Sequence, residues 1–293
     1  MRGFKNCHPA VNFTYFLAVI GFSMFYMHPA ALAVSFISGL ICSVCLNGKK
    51  AIRFNLMFML PLMLFSALIN TLFNHQGVTV LLYFPGGNPL TMESLLYGLA
   101  AAVMIGSVIC HFSCYNSVMT SDKFIYLFGK IIPSVSLIFS MVLRFVPRFK
   151  NQLKKVSDGQ KCIGRDVSGG GIVKRAKSGL KLLSVMTSWA LENSIETADS
   201  MKSRGYGLPG RTTFSNFKFT SEDFAALIFI IAASAYIIAG GAKISFQYFP
   251  EMTGSGITPY SVSIFAVYFV LCMLPVITEC LEVGRWILSK RKI

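Results

Sequence analysis

Charge is what this sequence has least of. Only 13% of its 293 residues are Asp, Glu, Lys or Arg, and just 12 are acidic. A soluble domain carries about 25% charged residues, so the chain cannot cover even one water-facing surface, and a water-soluble enzyme is excluded. Disorder is excluded from the other side. It requires low hydrophobicity, whereas 54% of this chain is hydrophobic and its mean hydropathy is +0.61. Signatures of catalysis and nucleotide binding are missing as well. The four histidines, His8, His28, His75 and His111, form no HExxH pair. No Gly-x-Ser-x-Gly, Walker A loop or Rossmann fingerprint occurs. Ser168-Gly169-Gly170-Gly171 lacks the following Lys-Ser/Thr of a phosphate loop and reads as a turn.

The eight cysteines make no metal site by spacing. Cys42-x-x-Cys45 and Cys110-His111-x-x-Cys114 each lie inside an apolar stretch without a second pair, and zinc needs about four ligands. They read as small apolar packing residues. Most fall in the bilayer or on its inner side, so no disulfide framework is expected.

What the chain does have is long apolar runs. A spanning helix needs about 20 apolar residues, and six runs qualify: 11–27, 30–46, 54–73, 94–116, 224–241 and 260–283. The expected fold is an all-α polytopic membrane protein of about six transmembrane helices. Four helices occupy 1–119, a cytoplasmic insert of amphipathic helices occupies 120–222, and two more spans occupy 223–293. A turn-rich loop carrying Pro85-Gly86-Gly87-Asn88-Pro89 joins the third and fourth spans.

The net charge of +15 is explained by orientation. With the N-terminus inside, 26 of the 27 Lys and Arg residues fall on one side, 17 of them in 120–222, and only Lys243 is left outside. This is the positive-inside pattern; it puts both termini in the cytoplasm and requires no nucleic-acid partner. Segment 124–146 is apolar enough to span, but it carries Lys130, Arg144 and Pro133. Spanning it would send the following cations outward, so it is read as an interfacial or buried helix. Arg2, Lys5 and Ala31-Leu32-Ala33 mimic a secretory signal. Another apolar helix follows directly, however, and retention is expected.

Intramembrane carboxylates usually mark ion or proton paths. Here Glu93, Asp223, Glu279 and Glu282 approach the spans only at their ends. A chain this blank at mid-bilayer is expected to work through a partner.

The insert is more informative. Val135, Ile138, Val142, Phe145, Phe149, Leu153 and Val156 repeat at helical spacing, with Arg148, Lys150, Lys154, Lys155 and Lys161 off that stripe. A second helix is expected over 172–202, with an apolar stripe at Leu182, Val185/Met186, Trp189, Ala190, Ile195, Ala198 and Met201. Glu192, Glu196 and Asp199 form an acidic edge, and Gly205 is placed to end the helix. Arg204 has two readings. It completes a helix C-terminus, worth about 0.3–1 kcal/mol, or it inserts into an acidic groove of a soluble partner, for which the guanidinium fork is suited.

Ala198-Asp199-Ser200-Met201-Lys202-Ser203-Arg204-Gly205-Tyr206-Gly207 resembles the second Ala-Arg-Gly-type motif of the transmembrane T component of energy-coupling factor (ECF) transporters. Leu143-Arg144-Phe145-Val146-Pro147, His8-Pro9 and Asn88-Pro89-Leu90-Thr91 are similar to other stretches of that family, so the resemblance runs over nearly the whole chain. The departure is at the first motif, Gly159-Gln160-Lys161-Cys162-Ile163-Gly164, where Ile163 stands in place of Arg and Arg165 follows two residues on. The resemblance implies a non-catalytic scaffold in a bacterial or archaeal cell membrane, without a cofactor of its own. Two cytosolic ABC ATPase subunits would hydrolyse ATP and hold the helix tips at Cys162, Ile163, Gly164 and Arg165 and at Ser203, Arg204 and Gly205. Their motion would pass to a separate substrate-binding membrane subunit, gripped by Val135, Ile138, Val142, Phe145, Phe149 and Trp189, for vitamin or transition-metal uptake. Two other readings stay open. One is a stand-alone permease shaped by Pro29, Pro61 and Pro275; the other is a membrane enzyme using Glu279 and Glu282.

Overall fold

A computed structural model describes residues 3–83, 89–129, 132–164, 171–209, 217–241, 244, 246–254, 256 and 258–290, with backbone alone at 133–134 and 285–290. The turn at 85–88, Ser168, Gly169, Gly170, Lys130, Arg165 and Lys243 lie outside the described residues. The chain folds as two compact units, Met1–Phe124 with Phe217–Ile293, and Ile125–Asn216.

The first unit is a helical bundle: α1 (Pro9–Phe25), α2 (Pro29–Asn47), α3 (Lys49–Phe54) running through a π turn into α4 (Leu60–Phe73), α5 (Met92–Val118), the start of α6 (Ser121–Gly129), α9 (Ser221–Gly241) and α10 (Pro259–Lys290). Five rods are long and apolar enough to cross a membrane: 29–47, 49–73, 92–118, 221–241 and 259–284. The 17-residue α1 is a sixth apolar helix, just short of that length. The protein is thus a multi-pass, all-α membrane protein, with the six apolar segments where the sequence places them. The loop before α5 adds a short antiparallel pairing of β1 (Val80–Tyr83) with β2 (Pro89–Thr91), and β3 (Phe246–Gln247) pairs with β4 (Thr253–Gly254).

Repeated local chemistry starts the helices. Both α1 and α2 open on His-Pro-Ala: His8 Nδ1 accepts from Ala10 N at 3.3 Å and His28 Nδ1 from Ala30 N at 3.2 Å. The proline at N1 has no N–H to leave orphaned. Thr91 caps α5 by accepting from Ser94 N at 3.3 Å.

Small and polar residues fill the interior while large apolar ones face outward, as a lipid solvent demands. Asn12, Ser35, Ser38, Ser43 and Ser107 are fully buried, whereas Phe25, Phe73 and Leu17 are 86%, 79% and 64% exposed. Along α5, Gly98, Ala102, Gly106, Cys110 and Cys114 recur every fourth residue, and all are buried. A Cβ on Gly39 of α2 would lie 3.1 Å from Cys110 Cβ, so that helix pair packs backbone to backbone. Polar links complete the contact. Ser35 hydrogen-bonds Ser107, and His111 Nε2 lies 3.2 Å from Ser35 O, which places the ring proton on that nitrogen. The Cys272 carbonyl of α10, in the turn before Pro275, accepts from Tyr15 Oη at 2.8 Å and Cys42 Sγ at 3.3 Å. Cys42, Cys110, Cys114 and Cys272 are buried, as small packing residues would be, whereas Cys45, Cys162 and Cys280 are exposed.

The segment before α1 ties several helix ends together. Phe4 is fully buried against Tyr15, its ring centroid 5.0 Å away. Lys5 Nζ donates to Leu46 O at the end of α2 (3.1 Å), and Lys123 Nζ of α6 donates to Lys5 O (2.6 Å). Buried Asn12 satisfies both neighbours with its amide oxygen 2.9 Å from Lys123 Nζ and its nitrogen 3.2 Å from Phe4 O. Burial pulls the Lys123 ammonium below the ordinary lysine range and pushes the Cys7 thiol up to about 11. Asp223, at the start of α9, accepts from His8 N (2.9 Å), Thr220 N (3.0 Å) and Thr220 Oγ1 (2.7 Å).

Two of the four span-end carboxylates are therefore structural. Glu93, 3% exposed, accepts from Thr79 Oγ1 at 2.7 Å and Thr79 N at 3.2 Å, pinning the β1 side of the loop before α5 to that helix. Glu279 and Glu282 sit against Gly3, where a Cβ would collide with the Glu282 carboxylate. Removing the Asp223 carboxylate strands buried donors. Asp223→Ala should cost about 3 kcal/mol and lower the unfolding temperature in detergent, while Glu251→Ala, at an exposed position, should leave it unchanged.

A basic groove and two helix tips as the candidate functional site

The second unit is built on two long helices, α7 (Pro133–Cys162) and α8 (Ile172–Ser203). Their bounds follow the sequence pattern closely. Segment 124–146, in contrast, is not one helix: α6 ends at Gly129 and α7 begins at Pro133. Proline at the first turn of α7 is compatible with a start there and disfavours helix in the residue before it.

An aromatic crossing holds the pair. The Phe149 ring meets Trp189 edge-on at 5.1 Å between centroids, and Phe145 lies 6.4 Å from Phe149. The Arg148 guanidinium carbon lies 5.8 Å from the Trp189 ring centroid, within cation–π range. On α8 the buried residues are Leu182, Met186 and Asn193. Beyond Trp189 this departs from the expected stripe: Ile195 is 64% exposed and Asn193 only 7%. The stripe keeps its alternating four- and three-residue steps through a polar residue that hydrophobicity alone would not select.

Beside the crossing lies a groove of about 900 Å³ lined by both helices. From α7 come Arg144, Phe145, Arg148, Asn151, Gln152 and Lys155; from α8 come Trp189, Asn193, Glu196, Thr197, Ser200 and Arg204. Four cations thus face one carboxylate. The structure brings Arg204, Arg144, Phe145 and Trp189 together here. Val135, Ile138 and Val142 do not line it; they are 53%, 58% and 49% exposed, on the opposite side of α7. Phe149 sits at the edge, packing on Trp189 while remaining exposed. The basic wall was readable from sequence, since Arg144, Arg148, Asn151 and Lys155 follow steps of four, three and four along one helical face.

The two predicted motifs end their helices with the same backbone. Ile163 caps α7 at φ −92, ψ 12, followed by Gly164 at φ 74. Arg204 caps α8 at φ −87, ψ 9, followed by Gly205 at φ 83. Gly164 N bonds Lys161 O at 2.9 Å and Gly205 N bonds Lys202 O at 3.0 Å; Tyr206 N adds a 3.0 Å bond back to Met201 O. Positive φ favours glycine, so each motif glycine turns the chain and leaves the preceding side chain projecting. Cys162, Ile163, Gly164, Ser203 and Arg204 are all exposed. The tips are not gathered into one site, for Arg204 lines the groove and 162–164 do not.

A second cavity, about 380 Å³, lies in the bundle between α2 and α5. Its lining, including Pro29, Phe36, Leu99, Val103 and Met252, is apolar and suits hydrocarbon rather than a polar cargo.

The described residues thus form an inside-out membrane bundle and a pair of amphipathic helices. Residues 6–214 match the family model for the cobalt transport protein CbiQ, and the chain belongs to that family. It is similar to proteins named energy-coupling factor transporter transmembrane protein EcfT. Identity is 33% over 101 residues with that of Lactobacillus helveticus, covering 34% of this chain and 36% of the relative. It is 34% over 101 residues with that of Staphylococcus aureus, covering 34% and 38%, and 28% over 107 residues with that of Bacillus subtilis, covering 36% and 40%. The match spans about two fifths or less of these relatives' length.

The tip geometry has a thermodynamic signature. Gly205→Ala forces a Cβ into the left-handed region and should cost about 1 kcal/mol. Gly179→Ala, in the interior of α8 with open space around it, should gain about as much helix stability. Opposite signs in thermal unfolding followed by circular dichroism would verify the assignment.

Proposed function

We propose that the chain is the transmembrane T component of an ECF-type importer, a scaffold that transmits ATP-driven movement of two cytosolic ATPases to a separate substrate-binding membrane subunit. The observation that carries this is the pair of helix tips with matching backbone, each presenting an exposed side chain ahead of a left-handed glycine. A projecting Arg204 can form paired hydrogen bonds with carboxylates in a partner's groove. The Ile163 tip, 68% exposed, meets its partner through an apolar side chain, with Arg165 as the nearest following cation. The apolar face of α7 at Val135, Ile138 and Val142 is the surface that grips the substrate-binding subunit.

In this reading both termini are cytoplasmic, which 26 of 27 cations on one side supports. The chain performs no chemistry and holds no cofactor; ATP is hydrolysed by the partners. The cargo is a vitamin or transition-metal ion, and cobalt is the one the family description names. Two of the span-end carboxylates, Glu93 and Asp223, hold neighbouring segments by hydrogen bonds, in keeping with a scaffold, and the Glu279–Glu282 pair packs on Gly3.

Arg204→Glu is expected to abolish ATPase co-purification and uptake while membrane insertion remains normal. Undiminished co-purification would overturn the coupling role. Ile163→Ala should impair uptake less than Arg165→Glu, because shortening an apolar tip reverses no charge; the reverse order would remove Arg165 as the substitute cation.

A further inference from the structure

The α7–α8 groove is organised along its length and not only at Arg204. Arg144, Arg148 and Lys155 lie on one wall over eleven residues, or about 16 Å at the helical rise, and Arg204 extends the row from α8. Among the described residues no carboxylate forms an ion pair with Arg144, Lys155 or Arg204. Asn193 reinforces the reading. It is 7% exposed and lines the groove from the α8 side. The amide, with Trp189 as an apolar floor beside it, suits a polypeptide more than a bare ion. A 16 Å row of cations also exceeds the reach of one phosphate group.

We propose that this groove receives an acidic helical segment of the cytosolic ATPase subunit, with carboxylates spaced over about three turns facing Arg144, Arg148 and Lys155. The proposal rests on the coupling reading above and adds a second, elongated contact to the Arg204 tip. It makes the groove an orientation-setting surface. A single tip fixes a point, whereas a row of charge pairs fixes the direction in which the partner lies.

The test uses the full-length chain in detergent with the ATPase subunits that the unmodified chain captures. A photo-crosslinking amino acid at Gln152 should join an ATPase peptide that carries two or more carboxylates within neighbouring helical turns. The triple variant R144Q/R148Q/K155Q should weaken capture about tenfold at low salt, with the gap closing at high salt. The charge-matched control K150Q/K154Q/K174Q, outside the groove lining, should stay within about twofold. Single K155Q, an exposed change that disturbs no packing, should show a smaller loss in the same direction and covers the case of a misfolded triple variant. A crosslink to lipid or to another membrane chain, or equal loss in the control, would overturn the proposal. Loss of capture in R204E with undiminished binding by a well-folded triple variant would overturn the groove contact and leave the tip contact standing. An unmodified chain that captures no ATPase would overturn the coupling reading and this proposal with it.

Discussion

The bundle depends on how closely α2 and α5 can approach. Inside a bilayer no hydrophobic force draws helices together, because lipid tails are as apolar as leucine. Association then relies on dispersion over close backbone contacts and on polar groups that hydrocarbon leaves unsatisfied. Gly39 and the four-residue ladder from Gly98 to Cys114 permit the first. The Ser35, Ser107 and His111 contacts supply the second. Neighbours use the same gaps: Met63 of α4 fills the space beside Gly106, and a Cβ at Gly98 would sit 3.0 Å from Ala67 O. A larger side chain at any of these glycines would separate several helices at once.

Where the helices end, charge becomes affordable. Lys5 and Asp223 meet backbone groups at helix termini, satisfying orphan groups that helix ends leave. Lys123 and Glu93 bind the backbone of residues 5 and 79, in the segments that lead into α1 and β1. The segment 3–8 also connects the end of α2 with the beginnings of α6 and α9, the helices through which the chain leaves the bundle and returns. Among the described residues, several of the bundle's ionisable groups thus serve to hold its ends together.

The second unit obeys different physics. Two amphipathic helices cross on a Phe149–Trp189 contact, keep one apolar face outward, and enclose a basic groove on the other side. Their tips share a backbone and differ in side chain, Ile163 against Arg204. A surface that fits one tip would not fit the other.

Much of this was legible in the chain itself. Six apolar runs became six apolar helices, and the 3.6-residue period of 133–161 and 172–202 located α7 and α8 to within a residue or two. The motif glycines at 164 and 205 took the left-handed conformation that glycine alone adopts cheaply. These are local matters, decided by solvent transfer and backbone sterics within a few residues. Other features were not local. Asn193 replaced Ile195 on the buried face because the pairing of two particular helices selects the face, whatever its polarity. Glu93 and Asp223 became structural because residues 14 and 215 positions away in sequence supply donors to them. The shortage of charge determined from the outset that the protein lives in a membrane. Which of its few charges would be neutralised at helix ends, and which would gather as Arg144, Arg148, Lys155 and Arg204 around one groove, was decided only when the helices packed.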